Sequence, residues 1–206
     1  MSVEEFIQAG RVLAHSCDSA EVQKASDFLE NAKNRPETWQ ACLGLLQPSS
    51  PADLSLLCAV LLYEKTKKEL NALGAEERLG LKRYVEGLIF AGFPLGTTRK
   101  LCQIFAFVSL AVSADFIEEI VRFDTEIAFE ILSCVPLLLG EYRFPDSTRR
   151  EFAQKVRKSS QFVLNLLSKA LTQPAQCLSA AEVLKDWSQM QLPVLQHLPL
   201  VQALLK

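Results

Sequence analysis

Apolar residues recur at helical spacing along almost the whole chain, from Val3 to Leu205. Every dozen or so residues a short polar or proline-containing turn cuts the pattern. A helix with one apolar stripe has to bury that stripe against another element, and short breaks make its chain neighbour the nearest candidate. The pattern therefore predicts antiparallel helix pairs that stack on one another. Stacked pairs form an α-solenoid, an architecture that binds other macromolecules more often than it performs chemistry. The chain has no convincing period-two run and no Asn-Gly or Asp-Gly hairpin turn. Apolar residues make up 49% of it, enough for a continuous core. Its wealth of Leu, Ala, Glu, Lys and Gln, with only eight glycines, favours helix over strand.

Local start and stop signals place the elements. The first helix covers 3–15, with Phe6, Ile7, Ala9, Val12 and Leu13 as its stripe. Asp18 caps a second over 19–31, and Glu21, three residues on, completes a capping box. Pro36 opens a third that buries Trp39, Cys42, Leu43 and Leu46. Ser50-Pro51-Ala52-Asp53 begins a long fourth, 51–72, which changes from apolar to charged at Tyr63. A fifth covers 75–91 and ends at Gly92-Phe93-Pro94; a sixth covers 96–112, and a short seventh 114–123. Asp124 caps an eighth over 125–139, which Pro136 is expected to end or bend. After a longer connection, 140–147, a ninth covers 148–171. Pro174 opens a tenth over 175–190, with Ser179 and Glu182 as an alternative capping box, and 198–205 is a last amphipathic piece.

The expected fold is therefore all-α, a right-handed HEAT-repeat solenoid of about five and a half repeats, at the roughly 40 residues per pair typical of HEAT units. The frame of a tetratricopeptide repeat is missing. Residues 1–206 read as one solenoid segment. Its apolar ending, where a terminal repeat carries a polar cap, predicts the N-terminal piece of a longer protein.

Charge and cysteine usage narrow the function. With 22 basic and 24 acidic residues the net charge is −2, without the basic stripe of a dedicated nucleic-acid binder. Cys17, Cys42, Cys58, Cys102, Cys134 and Cys177 form no CxxC pair and read as free thiols in a reducing compartment. The first residues, MSVEEFIQAGRVLAHS, are acidic where a signal peptide is basic. The most apolar runs, 101–112 and 127–139, fall short of the roughly 20 residues a bilayer requires. The chain reads as soluble and intracellular.

Nothing in the sequence assembles a catalytic site. His15 and His197 have no ligand-spaced partners, and neither a phosphate-binding glycine loop nor a GxSxG motif is present. The adjacent Glu118 and Glu119 point to different parts of a helix face. Cys102 follows Arg99-Lys100 but sits on an apolar helix, where a core thiol is the simpler reading. The chain reads as a non-enzyme with no metal and no cofactor. Two charged stretches remain: Tyr63 to Glu69, and Arg149, Arg150, Glu151, Lys155, Arg157 and Lys158. Each reads as a solvated helix end or as a partner-binding surface.

One further pattern is compositional order along the chain. AEVQKASDFLENAKNRPETWQACLGLLQ carries Lys24, Ala25, Phe28, Leu29, Trp39, Leu45 and Leu46; LLCAVLLYEKTKK and TRKLCQIFAFVSLAV follow. Later come Glu130, Ile131, Leu132, Pro136, Arg149, Arg150, Ser159, Ser160, Val163, Leu166 and Leu167, then VLKDWSQM and LPLVQALL. In this order the segments resemble the N-terminal portion of karyopherin-β (importin-β superfamily) nuclear transport receptors, most closely the transportin-three and importin-thirteen branch. The resemblance spans nearly the whole chain but only about the first quarter of such a receptor. Val60, Leu61 and Phe107 depart from polar positions of the family.

The resemblance implies that the concave second helices hold Ran in its GTP-bound state. The residues it points to are Asp27 and Glu30, Lys65 and Lys68, and Arg99 and Gln103, with Lys65 the best match. It implies protein cargo such as Arg-Ser-rich proteins, contact with nucleoporin FG repeats, no direct nucleic acid or membrane, and shuttling between cytoplasm and nucleus. The departures leave a second reading open, a HEAT-repeat scaffold that does not depend on Ran. An all-α enzyme is a third reading, without a residue constellation to support it.

Overall fold

The structure, a computed structural model, describes residues 3–113, 115–140, 146–188 and 190, with Val3 described by its backbone alone. The fold is all-helical, 84% helix with no strands among the described residues. The α-helices among the described residues are α1 (Val3–His15), α2 (Ser19–Ala32), α3 (Glu37–Leu45), α4 (Ala52–Glu69), α5 (Ala75–Ala91), α6 (Leu95–Val112), α7 (Phe116–Glu119), α8 (Thr125–Leu139), α9 (Asp146–Leu171) and α10 (Cys177–Ser188). A 3₁₀ turn, Leu70–Ala72, extends α4, and another, Ile120–Arg122, extends α7. The expected last helix, 198–205, lies outside the described residues. So does His197.

Caps mark several boundaries. Asp18 accepts from Ala20 N (2.8 Å) and Glu21 N (3.4 Å), satisfying two first-turn donors of α2. The expected capping box does not close there. The Glu21 carboxylate instead accepts from the Ser16 hydroxyl at 2.9 Å, and that hydroxyl accepts from Asp18 N at 3.1 Å. On α5 one half of such a box forms: Glu77 accepts from Gly74 N at 2.7 Å, and glycine has no side chain to return the bond. Gly92, at φ 79°, ends α5 in a conformation that other residues rarely adopt. Asp124 caps α8 through Ile127 N at 2.9 Å. The tenth helix starts later than expected: residues 174–176 form a turn, and Ser179 lies inside α10 rather than capping it.

Contacts divide the chain into two compact units, Met1–Val108 and Ser109–Lys206, with the boundary inside α6. In the first unit α1 packs on α2 and α3 on α4. The α1–α4 crossing is close at Gly10: a Cβ there would meet Leu57 Cδ2 at 2.8 Å. Lys65, near the end of α4, donates to the Lys33 carbonyl just past α2 (3.3 Å), so those two helices end side by side. Leu56 lies against Gly96 at the start of α6, and Lys100 of α6 sits over the Tyr63 ring of α4 at 5.1 Å. The core is Phe6, Leu29, Cys42, Leu46, Cys58, Leu61, Leu62, Val85, Leu101, Ile104 and Phe105.

In the second unit α9 and α8 both pack on α10, and α7 packs on α9. Gln176 donates to Thr125 Oγ1 (3.4 Å) at the starts of α10 and α8. Phe116, Ile120, Ile131, Leu132, Val135, Val156, Val163, Leu167 and Trp187 fill its core. Pro136 does not end α8, which continues to Leu139. No described helix is long and apolar enough to cross a membrane.

Candidate interaction surface

The residues singled out for partner contact lie on α2, α4 and α6, and their environments differ. Asp27 is exposed and accepts from Gln23 Nε2 at 2.8 Å. Glu30 is exposed and paired with Lys33. The hydrogen bond and charge of Lys33, with a smaller contribution from the Lys68 charge, hold its carboxyl below the ordinary value. Lys68 is exposed and lies 3.4 Å from Asn34 Oδ1, bridging α4 to the turn after α2. Arg99 is exposed, and the half-buried Gln103 accepts from Lys100 at 2.9 Å. Glu30, Asn34 and Lys68 thus form one exposed polar surface across the ends of α2 and α4, with the half-buried Lys33 among them.

Lys65 is placed quite differently from the solvated charge that the sequence suggests. Its side chain is 1% exposed. Nζ donates to Glu69 Oε1 at 2.6 Å and to the Lys33 carbonyl, and lies 5.8 Å from the Trp39 ring centroid. A charge moved out of water needs such partners, because the low dielectric penalises an unpaired ion by several kcal/mol. Thr66 beside it is also buried, its hydroxyl satisfied by the Leu62 carbonyl at 2.7 Å. The stretch after Tyr63 is therefore half interior, at i and i+1, and only Lys68 of the two expected lysines faces solvent.

Glu69 closes this cluster, and sequence reasoning missed it. One carboxylate oxygen accepts from Lys65 and the other from Trp39 Nε1 at 2.8 Å. Burial alone pushes its carboxyl up. The hydrogen bonds from Lys65 and Trp39, and the charges of Lys65 and Lys68, outweigh that and hold it below the ordinary value. The available signal was the i, i+4 spacing of Lys65 and Glu69. Trp39 is half-buried rather than a fully enclosed core anchor, and its indole N–H ties α3 to the end of α4.

The other candidates for chemistry are dispersed. His15 pairs with Asp53 at 3.2 Å, beside a cleft of about 380 Å³ lined by Ile7, Gly10, Arg11, Pro51 and Leu54. Glu118 accepts from Ser159 (3.2 Å) and Glu119 from Ser113 (2.7 Å), so the adjacent carboxylates face different groups. Cys42, Cys58, Cys102 and Cys134 are buried, Cys177 is half-buried and Cys17 exposed. A hydrogen-bonding contact with Cys58, and then burial, push the Cys42 thiol up, away from the thiolate. Among the described residues no group of three or more His, Cys, Asp or Glu is arranged to hold a metal ion. Of the family departures, Leu61 and Phe107 are buried and Val60 is half-buried.

No protein-family model and no curated protein matches this chain.

Proposed function

We propose that this chain is a HEAT-type helical-repeat segment of a karyopherin-β-like nuclear transport receptor, and that exposed polar residues of α2, α4 and α6 dock Ran in its GTP-bound state. One observation supports the reading above others: α4 meets the end of α2 through Lys65 to Lys33, and meets α6 through Leu56 to Gly96 and Tyr63 to Lys100. Second helices of successive pairs that align in this way bring charges from separate repeats onto one surface, as a solenoid requires for an extended concave site. Asp27, Glu30, Lys68, Arg99 and Gln103 are then the contact residues, and Lys65 supports the surface from beneath. Protein cargo and nucleoporin FG repeats are further partners in this reading, with shuttling between nucleus and cytoplasm. Coupling is the exchange of binding free energy between Ran and cargo through the helical array, without a cofactor or a catalytic step.

Isothermal titration of the chain with Ran loaded with a non-hydrolysable GTP analogue, and with GDP, tests it. The expected result is binding that favours the GTP state. Lys68→Glu with Arg99→Glu should weaken it, most at low salt, because rim charges act mainly on association. A second reading is a helical-repeat scaffold that does not depend on Ran. The burial of Lys65, the family's best match, and of Leu61 and Phe107 favours it. No binding to either nucleotide state would turn the assignment to that scaffold.

A further inference from the structure

α9 divides sharply into a buried and a basic face. Phe152, Val156, Val163, Leu164 and Leu167 are buried. The helix carries six basic and two acidic side chains, and both acidic ones are already taken: Asp146 by Arg149, Glu151 by Lys155 at 3.0 Å. Lys155 is doubly committed, donating also to the Leu110 carbonyl at 2.7 Å. Of the four that remain, Lys169 lies in the last turn, apart from the other three, Arg150, Arg157 and Lys158. All three are exposed, and none has a carboxylate partner among the described residues.

These three share one stripe with the exposed Gln154 and Gln161, at i, i+4, i+7, i+8 and i+11. At about 1.5 Å per residue the stripe is roughly 16 Å long. That matches about five residues of extended peptide at roughly 3.3 Å each. The side chains suit such a ligand. Guanidinium groups take carboxylates in bidentate fashion, and interleaved amides can both donate to and accept from a peptide backbone.

We propose that this face of α9 docks a short acidic segment of a partner protein. The site shares no residue with the surface on α2, α4 and α6, and it does not rest on the Ran reading. Two other anionic partners suit the stripe less well. It has no aromatic side chain on which bases could stack. Nor does it carry an exposed Leu, Phe or Trp to enter a lipid interface.

Fluorescence anisotropy of the chain with a fluorescein-labelled peptide of alternating Glu and Ser tests the proposal. The wild-type chain should bind with an affinity that falls steeply as salt rises. Arg150→Glu with Arg157→Glu and Lys158→Glu should weaken binding by roughly tenfold or more. The milder Arg150→Gln, Arg157→Gln, Lys158→Gln variant should give an intermediate loss, and it keeps the test valid if reversal disturbs folding by circular dichroism. Arg35→Glu with Arg83→Glu, exposed charges of the other unit, should leave binding unchanged. The proposal is overturned by a wild-type chain that ignores the peptide at low salt, by a neutralised chain that binds it equally well, or by tighter binding to duplex DNA or to phosphatidylserine vesicles.

Discussion

Trp187 donates its indole N–H to the carbonyl of Leu132, 2.9 Å away. In an unbroken helix that carbonyl would accept from the backbone N–H of residue 136, and Pro136 has none. α10 thus supplies the donor that α8 lacks. The carbonyl lies among fully buried side chains, where an unmet acceptor is costly, and the helix runs on to Leu139. A proline that should end or bend a helix is tolerated because a tryptophan from another helix completes its hydrogen bonding.

Trp187→Phe keeps most of the packing and removes the donor. It should destabilise the chain by about 1–3 kcal/mol, the cost of leaving a buried acceptor unpaired. Pro136→Ala restores the backbone donor, so Trp187→Phe should cost less in that background. A double-mutant cycle by urea denaturation measures the difference, with an expected coupling above about 0.5 kcal/mol. Strict additivity would show that the indole does not replace the missing backbone bond.

Acid stability should depend on Glu69. Its carboxyl titrates below the ordinary value of 4.5 in the folded chain. The unfolded chain therefore takes up the proton first as pH falls. The stabilisation is complete above about pH 4.5 and is lost as pH drops through the folded value. Glu69→Gln keeps an acceptor for Trp39 but cannot titrate. Urea midpoints near pH 7 and near pH 3.5 should fall less for Glu69→Gln than for the wild type; equal falls would remove Glu69 from the acid response.

Thiol reactivity should follow the burial pattern. Pulsed maleimide labelling read by mass spectrometry should modify Cys17 first and Cys177 more slowly. Cys42, Cys58, Cys102 and Cys134 should react only as fast as the chain opens. Raising the pH should barely affect the rate at Cys42, whose thiol is held protonated by its contact with Cys58 and by burial. Labelling of Cys42 at the rate of Cys17 would contradict the packing of α3 on α4.

Signals close in the chain were legible; compensation from distant residues was not. The caps at Asp18 and Asp124 and the stop at Gly92 lie within a turn of the boundaries they set: α2 begins after Asp18, α8 begins after Asp124 and α5 ends before Gly92, as expected. That α8 does not end at Pro136 was not legible, because Trp187, which serves the Leu132 carbonyl, comes from another helix. Lys65 misled for the same reason. Its neighbours in sequence are charged, so it reads as solvated, and only the approach of Trp39 and the Lys33 carbonyl makes it interior. Asp27, Glu30 and Lys68 were legible as exposed because little packs over them. Whether they meet a partner depends on a second molecule's surface, which no periodicity within this chain encodes.

Lys65 and Lys68 should separate stability from recognition. Lys65→Glu would set two carboxylates side by side in a nearly solvent-free position, with Glu69 losing its cation. Breaking a buried pair in this way costs about 3–5 kcal/mol, and the partial exposure of Glu69 puts the expected loss at the lower end. Lys68→Glu acts on an exposed side chain whose contact, Asn34, is neutral, so its effect on stability should stay within about 0.5 kcal/mol. Urea midpoints give both numbers directly. The distinction governs any test of the proposed Ran contact: if the chain binds Ran, loss of binding in Lys65→Glu would report a disturbed α3–α4 pair, whereas the same loss in Lys68→Glu, at unchanged stability, would report contact. A Lys65→Glu chain as stable as the wild type would mean that the ammonium is not enclosed by Trp39, Glu69 and the Lys33 carbonyl, and would return Lys65 to the set of surface residues available to a partner.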